Sequence, residues 1–179
     1  LSKYKFARST FQPNPGYGAA LSKGLNEASG EFVAWTHGDI QTPPADVLKA
    51  YDLIQKQEDQ KKVYVKGKRI GRPLVDKLVN TLGMSIFETL VLRKPLYDIN
   101  AQPNLFHRSF LKKAKNLPQE FSFDLYMYYM ARRARLKIVR FPVHFGKRIF
   151  GESSWNTGWK ARIKFIRRTI SFTFKMKKK

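Results

Sequence analysis

The 179-residue sequence has no cysteine, few acidic residues and no long hydrophobic run. Without cysteine the chain can form neither a disulfide framework nor a thiolate metal site, and a reducing compartment is compatible with it. No stretch approaches the roughly 18 consecutive apolar residues of a membrane-spanning helix, and no signal peptide is visible at the start. We therefore expect a cytoplasmic protein.

Apolar residues are nevertheless plentiful, at 42% of the chain, and 14% of the residues are aromatic. A chain of this length and composition can bury a sizeable core without covalent cross-links. We expect a globular domain.

The charge balance is strongly basic. The 35 lysines and arginines outnumber the 13 aspartates and glutamates, which gives a net charge of +22 and a sequence pI near 10.3. From Lys137 onward the sole acid is Glu152, so the imbalance is concentrated in the tail. An anionic partner is therefore expected, and nucleic acid, anionic lipid and phosphorylated substrates satisfy the charge equally well.

A turn between a predicted strand and a predicted helix holds the first candidate for chemistry, Asp39. The run Phe32 to Trp35 is short and apolar, which predicts a buried strand, and Pro43-Pro44 followed by Asp46 is typical of a helix start. In open parallel sheets, ligands bind beyond the carboxyl ends of strands. Asp39 is therefore expected to face such a crevice, although an acid after a strand also serves as a plain helix cap or turn residue.

This turn resembles the metal-binding signature Asp-Ala-Asp-Leu-Gln of family 2 glycosyltransferases, the GT-A enzymes that include polyprenyl-phosphate mannose and glucose synthases. The aligned residues here are His37-Gly38-Asp39-Ile40-Gln41. The second acid and the glutamine are kept, and His37 replaces the first acid. The resemblance implies that Asp39 is catalytic through the Mg2+ or Mn2+ that it holds on the donor diphosphate, and that Gln41 belongs to the donor site.

The resemblance extends from Asn14 to Asn156 in the family's own order. The glycine-rich turn that begins at Asn14 matches an Asn-x-Gly-x-Gly-x-Ala element, which implies a place for Asn14 in the binding site. After a strand predicted at Val63-Tyr64-Val65, Arg69 matches the family's Gly-x-Arg. The cations from Lys66 to Arg72 suit a loop that wraps a phosphate or pyrophosphate, although most such charge runs are solvated loops.

The segment from Leu96 to Arg108 has neither a helical nor a strand period, which predicts a site loop. Its amides Asn100 and Gln102 offer donors and acceptors that suit sugar hydroxyls, or else they satisfy backbone groups in a tight turn. Further on, Asp124 lies in the first turn of a helix predicted to run to about Arg133. The resemblance implies that Asp124 is the catalytic base when the acceptor is a hydroxyl, whereas the plain alternative is a favourable interaction with the helix dipole.

A strand predicted from Lys137 to Phe145 precedes the last matching motif. Arg148 and Ser153 match the family's Arg-x-x-Gly-x-Ser loop, which implies that they bind phosphate, a group that the planar fork of arginine grips with two hydrogen bonds.

The tail from Trp159 predicts an interfacial helix, because an apolar stripe runs along it with cations beside the stripe. The stripe consists of Ile163, Ile166, Ile170 and Phe174. Phe165 and Phe172 fall on the opposite side, so burial against another protein segment remains an alternative.

We therefore predict an α/β fold of the Rossmann-like GT-A type, with a mostly parallel sheet flanked by helices. Residues 1–156 would form a partial GT-A domain and residues 157–179 a basic amphipathic helix. A strand from Lys3 to Phe11 and one or two helices from Pro73 to Leu92 complete the expected elements. The family's usual opening strands, which bind the nucleotide base and ribose, do not occur before Leu1. The resemblance therefore implies an N-terminally incomplete domain, either a fragment of a longer protein or a reduced version of the fold.

The predicted function is inverting transfer of a sugar from a nucleotide-sugar donor to a polyprenyl phosphate or glycan acceptor. We expect the protein to lie in the cytoplasm, peripheral to the inner face of the membrane, with an anionic membrane surface as a partner. Two alternatives stay open. One is a nonenzymatic basic module that binds nucleic acid, a less expected partner, through tyrosines such as Tyr126, Tyr128 and Tyr129. The other is a degenerate transferase fold that only docks on membranes.

Overall fold

The computed structural model describes residues 5–71, 82–146 and 159–177. Helices and strands alternate through most of this part of the chain, with two short 3-10 helices at Gln60–Lys62 and Arg108–Lys112. In chain order the main elements are α1 (Tyr17–Glu27), β1 (Phe32–Trp35), α2 (Asp46–Gln55), β2 (Val63–Ile70), α3 (Met84–Leu92), β3 (Asn104–His107), α4 (Phe123–Arg133), β4 (Lys137–His144) and α5 (Trp159–Lys177).

The four strands form one mixed sheet in the order β1-β3-β2-β4. Strands β2 and β4 are parallel, whereas β3 is antiparallel to both β1 and β2. The predicted α/β fold with flanking helices is confirmed, but a mostly parallel sheet is not. Because β3 runs against its neighbours, its first residue, Asn104, lies opposite Trp35 at the end of β1 and opposite Lys66 in β2. The loop before β3 therefore reaches the carboxyl edge of the sheet.

Both faces of the sheet are covered by apolar side chains. On one face α1 and α4 bury a core that includes Trp35, Tyr64, Phe106 and Met127, and on the other α2 buries a second core. Phe106 is completely buried, so truncating such a side chain to alanine costs about 3 to 5 kcal/mol. Packing in these two cores positions the ends of the strands.

The residues of β3 were predicted as part of a site loop, and the structure corrects this to a strand. Leu105 packs in one core and Phe106 in the other, so the segment shows no alternation of apolar and polar residues. Strand β2 also runs on to Ile70, where a basic loop was predicted, because β4 pairs with it over its whole length.

The predicted opening strand is wrong over its described part. Residues 5–11 form a turn and irregular structure, and Phe6 and Phe11 are 88% and 84% exposed. Helix α3 confirms the second half of the helical prediction for residues 73–92. Residues 72–81 lie outside the described part, as does the predicted boundary between residues 156 and 157.

Helix α5 packs on the rest of the fold with the side that was predicted to oppose its apolar stripe. The ring of Phe165 meets Phe121 edge-on, and Thr173 is buried against Glu88 of α3. The stripe itself is half exposed, at 42% for Ile163 and 47% for Phe174. In the described ranges, none of the helices is both long and apolar enough to cross a membrane.

Candidate functional site

A buried polar network lies at the carboxyl edge of the sheet and centres on Asp124. This carboxylate is 2% exposed and accepts hydrogen bonds on both oxygens. The Tyr17 hydroxyl donates to Oδ2 at 2.6 Å and the Trp35 indole donates to Oδ1 at 3.0 Å. The Asn104 amide lies 3.4 Å from Oδ1. These donors, from α1, β1 and β3, fix the start of α4 against the sheet edge.

The other end of the Asn104 side chain faces a buried lysine. Lys66 is completely buried, and its ammonium donates to the carbonyl of Ala101 at 2.7 Å and to Asn104 Oδ1 at 3.0 Å. The same oxygen accepts from the Tyr64 hydroxyl at 3.2 Å. Burial lowers the pKa of Lys66 to about 7, against the opposing attraction of Asp124. Because two donors meet Oδ1 of Asn104, its amide nitrogen is left to face Asp124.

Tyr17 connects this network to the loop before β3. Burial, followed by the negative charge of Asp124, raises the pKa of the Tyr17 hydroxyl well above its usual value. The side-chain NH2 of Gln102 donates to the Tyr17 hydroxyl oxygen. The side-chain oxygen Oε1 of Gln102 is buried with no hydrogen-bond partner in the described part of the chain. Gln102 is thus brought into the site. Asn14, in the glycine-rich turn that precedes Tyr17, is instead exposed.

The glycine-rich turn places Tyr17 through a close approach of α1 to the segment before α4. A Cβ added to Gly18 would lie 2.1 Å from the carbonyl oxygen of Pro118. The backbone NH of Ala19 also donates to the carbonyl of Gln119 at 2.9 Å. The motif therefore serves helix packing, and through that packing it delivers a tyrosine to Asp124.

The Asp39 turn lies beside this network and is tied to the end of β4. Asp39 Oδ1 accepts from the backbone NH of Gln41 at 3.2 Å, and Ile40 adopts the left-handed region at φ 58°. Gln41 donates its side-chain amide to the carbonyl of Gly146 at 3.2 Å, and the Gly146 NH donates back to the Gln41 carbonyl at 2.8 Å. The turn is thus held against Gly146, just beyond the end of β4.

The charges of both acids, Asp124 and Asp39, affect the pKa of His37. Burial lowers its pKa, while the charges of Asp124 and Asp39 both act to raise it, so both carboxylates are close enough to affect one imidazole. Its Nε2 is buried with no hydrogen-bond partner among the residues that the structure describes, and its ring meets Phe145 edge-on. A neutral imidazole with an unpartnered nitrogen can serve as a metal ligand.

The donor groups fit a divalent ion that takes further ligands from its substrate. Within residues 5–71, 82–146 and 159–177, no three His, Cys, Asp or Glu side chains converge as a metal cage. The turn offers the Asp39 carboxylate and the His37 nitrogen. Mg2+ commonly binds through one or two carboxylates together with substrate phosphates and water, which is the kind of site that such a small set of protein ligands suits.

Arg69 is engaged by Asp98 at the end of β2. Its Nε lies 2.7 Å and its Nη2 2.5 Å from Asp98 Oδ1, and its backbone NH donates to Oδ2 at 2.8 Å. Burial alone would raise the pKa of Asp98, but the charge and hydrogen bonds of Arg69 outweigh it and hold that pKa below its usual value. The Arg69 guanidinium also lies over the Phe145 ring, 5.3 Å from its centroid. The predicted phosphate-wrapping loop is therefore a strand end with Arg69 in an ion pair.

The remaining predicted residues fall in different places. Asn100 is half-buried in the turn that follows Asp98, where the Ala101 NH donates to the Asp98 carbonyl at 3.1 Å. Arg148 and Ser153 lie outside the described residues. The structure thus brings together Asp39, Gln41, Gln102 and Asp124.

Sequence reasoning missed five members of the network: Tyr17, Trp35, Tyr64, Lys66 and Asn104. Trp35 and Asn104 carry the weakest signal, since each is one polar group at the end of an apolar run. Tyr17 lies in the glycine-rich turn that was assigned to Asn14, and Lys66 lies in the basic segment that was assigned to Arg69.

Comparison with known proteins gives a family and a fold. The family model described as Glycosyl transferase family 2 matches residues 2–114. No curated protein sequence matches the chain significantly.

Solved structures similar to this chain include several of glucosyl-3-phosphoglycerate synthase from Mycobacterium tuberculosis. The complex with phosphoglyceric acid has 19% sequence identity and a TM-score of 0.65. The complex with Mn2+, UDP-glucose and glycerol 3-phosphate has 20% and 0.62, and the complex with Mg2+ and UDP has 16% and 0.64. Each match covers 92% of this chain and 55% of the other, so the chain spans little more than half of that protein's length. At this identity the likeness establishes the GT-A fold.

Proposed function

We propose, from the premise that this chain belongs to glycosyl transferase family 2, that it moves a sugar with inversion from a nucleotide-sugar donor to a polyprenyl phosphate or glycan acceptor. The observation that carries the proposal is the Asp39 turn, which Gln41 ties to the end of β4 beside the Asp124 network. Ligands of α/β sheets bind at this edge, so the turn supports donor binding there.

The donor side rests on Asp39 and His37, which would hold Mg2+ or Mn2+. When bound, the ion would neutralise charge on the diphosphate leaving group. Structures of the Mycobacterium tuberculosis synthase with Mn2+ and UDP-glucose support the same donor class for this chain. Gln41 holds the turn against Gly146, and Gln102, which is 1% exposed, would support the donor site through its hydrogen bond to the Tyr17 hydroxyl.

The acceptor side rests on Asp124, whose near-complete burial supports a positioning role. With a phosphate acceptor, an anionic oxygen attacks and no base is required, so Asp124 would only hold Tyr17 and Trp35 in place. With a glycan hydroxyl, Asp124 must take the proton, and the hydroxyl would have to reach Oδ2 beside Tyr17. The burial of Asp124 thus supports the phosphate acceptor.

A membrane location is supported by an exposed apolar stripe on α3 and the turn before it. Leu82, Ile86 and Leu90 recur every fourth residue, so they lie on one side of the helix, and they are 41%, 51% and 71% exposed. Phe174 of α5, which is 47% exposed, contacts Phe87 of α3. Contiguous exposed apolar surface often marks a site of interaction with a membrane or another protein. We propose that this surface lies at the inner face of the cytoplasmic membrane.

Calorimetric titration with UDP-glucose and GDP-mannose, with and without Mn2+, tests the donor proposal. The matched variants are Asp39→Ala and Asp52→Ala, since Asp52 is an exposed acid of α2. We expect binding that needs Mn2+, that Asp39→Ala abolishes and that Asp52→Ala leaves unchanged. Donor binding that survives Asp39→Ala would refute the metal role, and no binding of either donor would refute the proposed function of this chain.

A further inference from the structure

A second concave surface lies away from the Asp39 and Asp124 site. This basic groove has a volume of about 420 Å3 and is formed by the segment after the second 3-10 helix, the outer face of α4 and the last turns of α5. None of the side chains of the Asp124 network lines it. Its volume is in the range of about 300 to 1,000 Å3 that is usual for small-molecule sites.

Cations surround the groove. Lys113 and Lys115 approach from the connecting segment, Arg133 from the end of α4 and Lys175 from α5. The described residues that line the groove include no acid. Four cations around one concave surface raise the local positive potential, and a bound anion would lower their mutual repulsion.

The groove also has an apolar side. Met130, Phe172 and Met176 contribute apolar surface, and Tyr129 contributes an aromatic ring. Met176 is 6% exposed and packs in the core between α3, α4 and α5. A ligand that fits this lining has a negatively charged group attached to an apolar body.

The elements that form the groove are fixed by hydrogen bonds to one another and to the rest of the fold. The Tyr126 hydroxyl donates to the carbonyl of Lys115, which attaches the connecting segment to α4. On the other side, Thr173 is hydrogen-bonded to Glu88 and Arg168 Nε donates to Glu120 at 2.9 Å. The cations therefore lie on a preformed surface and not on a free tail.

We propose that the basic groove binds the phosphate-bearing headgroup of an anionic phospholipid in a membrane, with the start of its acyl chains against Phe172 and Met130. Charge complementarity selects the anion, and the apolar side selects a lipid over a free phosphate. A nucleic acid strand would instead need a basic track longer than this groove. The inference deepens the proposed membrane location and rests on that part of the proposed function, but it does not depend on sugar transfer.

Vesicle co-sedimentation tests the groove with a pair of charge-matched variants. Lys113→Glu/Lys115→Glu reverses two cations of the groove, and Lys56→Glu/Lys61→Glu reverses two exposed cations between α2 and β2. On vesicles of phosphatidylcholine with phosphatidylglycerol, we expect the groove variant to bind at least roughly tenfold more weakly than the wild type, and the control variant to stay within about twofold. Circular dichroism checks that both variants are folded.

Three outcomes would overturn the proposal. Equal losses in the two variants would mean that only net charge matters. Inorganic phosphate that competes at millimolar concentration would mean a site for a free anion, and a loss confined to RNA binding would mean a nucleic-acid surface. Donor titration of the groove variant separates this proposal from the proposed function, because the lipid site can fail while Mn2+-dependent donor binding persists.

Discussion

The ammonium of Lys66 lies 3.0 Å from the side-chain oxygen of Asn104, and both residues are completely buried. The opposite end of the Asn104 amide lies 3.4 Å from Asp124. A cation on β2 thereby sets the orientation of an amide on β3, which in turn faces an acid on α4. The polar network at the sheet edge is one connected unit.

Replacement of Lys66 by methionine should remove a rise of stability with pH. The folded chain releases the Lys66 proton near pH 7, whereas the unfolded chain keeps it to about pH 10.5. Unfolding therefore takes up a proton in this window, and the free energy of unfolding of the wild type should rise by about 2 kcal/mol more than that of Lys66→Met between pH 7 and 9. Urea denaturation at several pH values measures the difference.

The exposed neighbour provides the control for this prediction. Lys68 lies two residues further along β2 and is solvent exposed. Lys68→Met should therefore follow the pH profile of the wild type. Parallel profiles of wild type and Lys66→Met would show that Lys66 keeps its proton in the fold.

Glu88 should give the opposite slope at lower pH. Burial raises its pKa to about 7 although Thr173 donates to it. The single Thr173 proton is shared between Glu88 and the Thr169 carbonyl, so a protonated Glu88 satisfies more hydrogen bonds than an ionised one. Since the folded state then binds the additional proton, stability should fall by on the order of 3 kcal/mol as pH rises from about 4.5 to about 7.

Glu88→Gln should abolish most of that fall, as thermal unfolding at a series of pH values would report. Glu58→Gln, at an exposed glutamate, is the matched change of charge. If the fall persists in Glu88→Gln and is absent in Glu58→Gln, the contact between α3 and α5 does not titrate as we expect.

Asp124→Asn should weaken the whole edge of the sheet. The substitution keeps the shape but turns one acceptor into a donor, so it opposes the Tyr17 hydroxyl, the Trp35 indole or the Asn104 amide. We expect a loss of about 1 to 3 kcal/mol in the free energy of unfolding, together with a changed near-ultraviolet dichroism of the aromatic side chains. Asp52→Asn should change neither, and equal stabilities of the two variants would contradict the network.

Two glycines of α1 should respond in opposite directions to alanine. At Gly18 the added Cβ would lie 2.1 Å from a backbone oxygen, so Gly18→Ala should destabilise the fold by about 2 kcal/mol or more. At Gly24 a Cβ would meet nothing within 4 Å, and Gly24→Ala should stabilise by up to about 1 kcal/mol. Chemical denaturation compares them, and similar effects at both positions would show that α1 does not approach the segment before α4 so closely.

Much of the fold was predictable because its signals are local. Apolar runs gave β1 and β4, and the helix start at Asp46 and the helix from Phe123 to Arg133 agree with their predicted positions. Strand β3 was missed because two of its consecutive residues, Leu105 and Phe106, are buried on opposite faces of the sheet. When helices cover both faces of a sheet, side chains on both faces are apolar, so the alternation of apolar and polar residues that marks a strand is absent.

The site was predictable only in part, because its geometry joins residues from distant places. Asp39, after a strand, and Asp124, at a helix start, were predicted from the resemblance to the family's motifs together with these positions. Lys66 resembles a solvated cation in the sequence, and only the pairing of β2 with β3 places it beneath Asn104. Arg69 was predicted to face phosphate, and its pairing with Asp98 requires two residues 29 positions apart to meet.

Electron paramagnetic resonance of Mn2+ with UDP-glucose or GDP-mannose tests the central claim, a donor site built on Asp39, most directly. We predict that the signal of free Mn2+ falls when wild-type chain and one of these donors are both present, and that Asp39→Ala restores it to the level of donor alone. Equal Mn2+ uptake by wild type and Asp39→Ala would contradict the account.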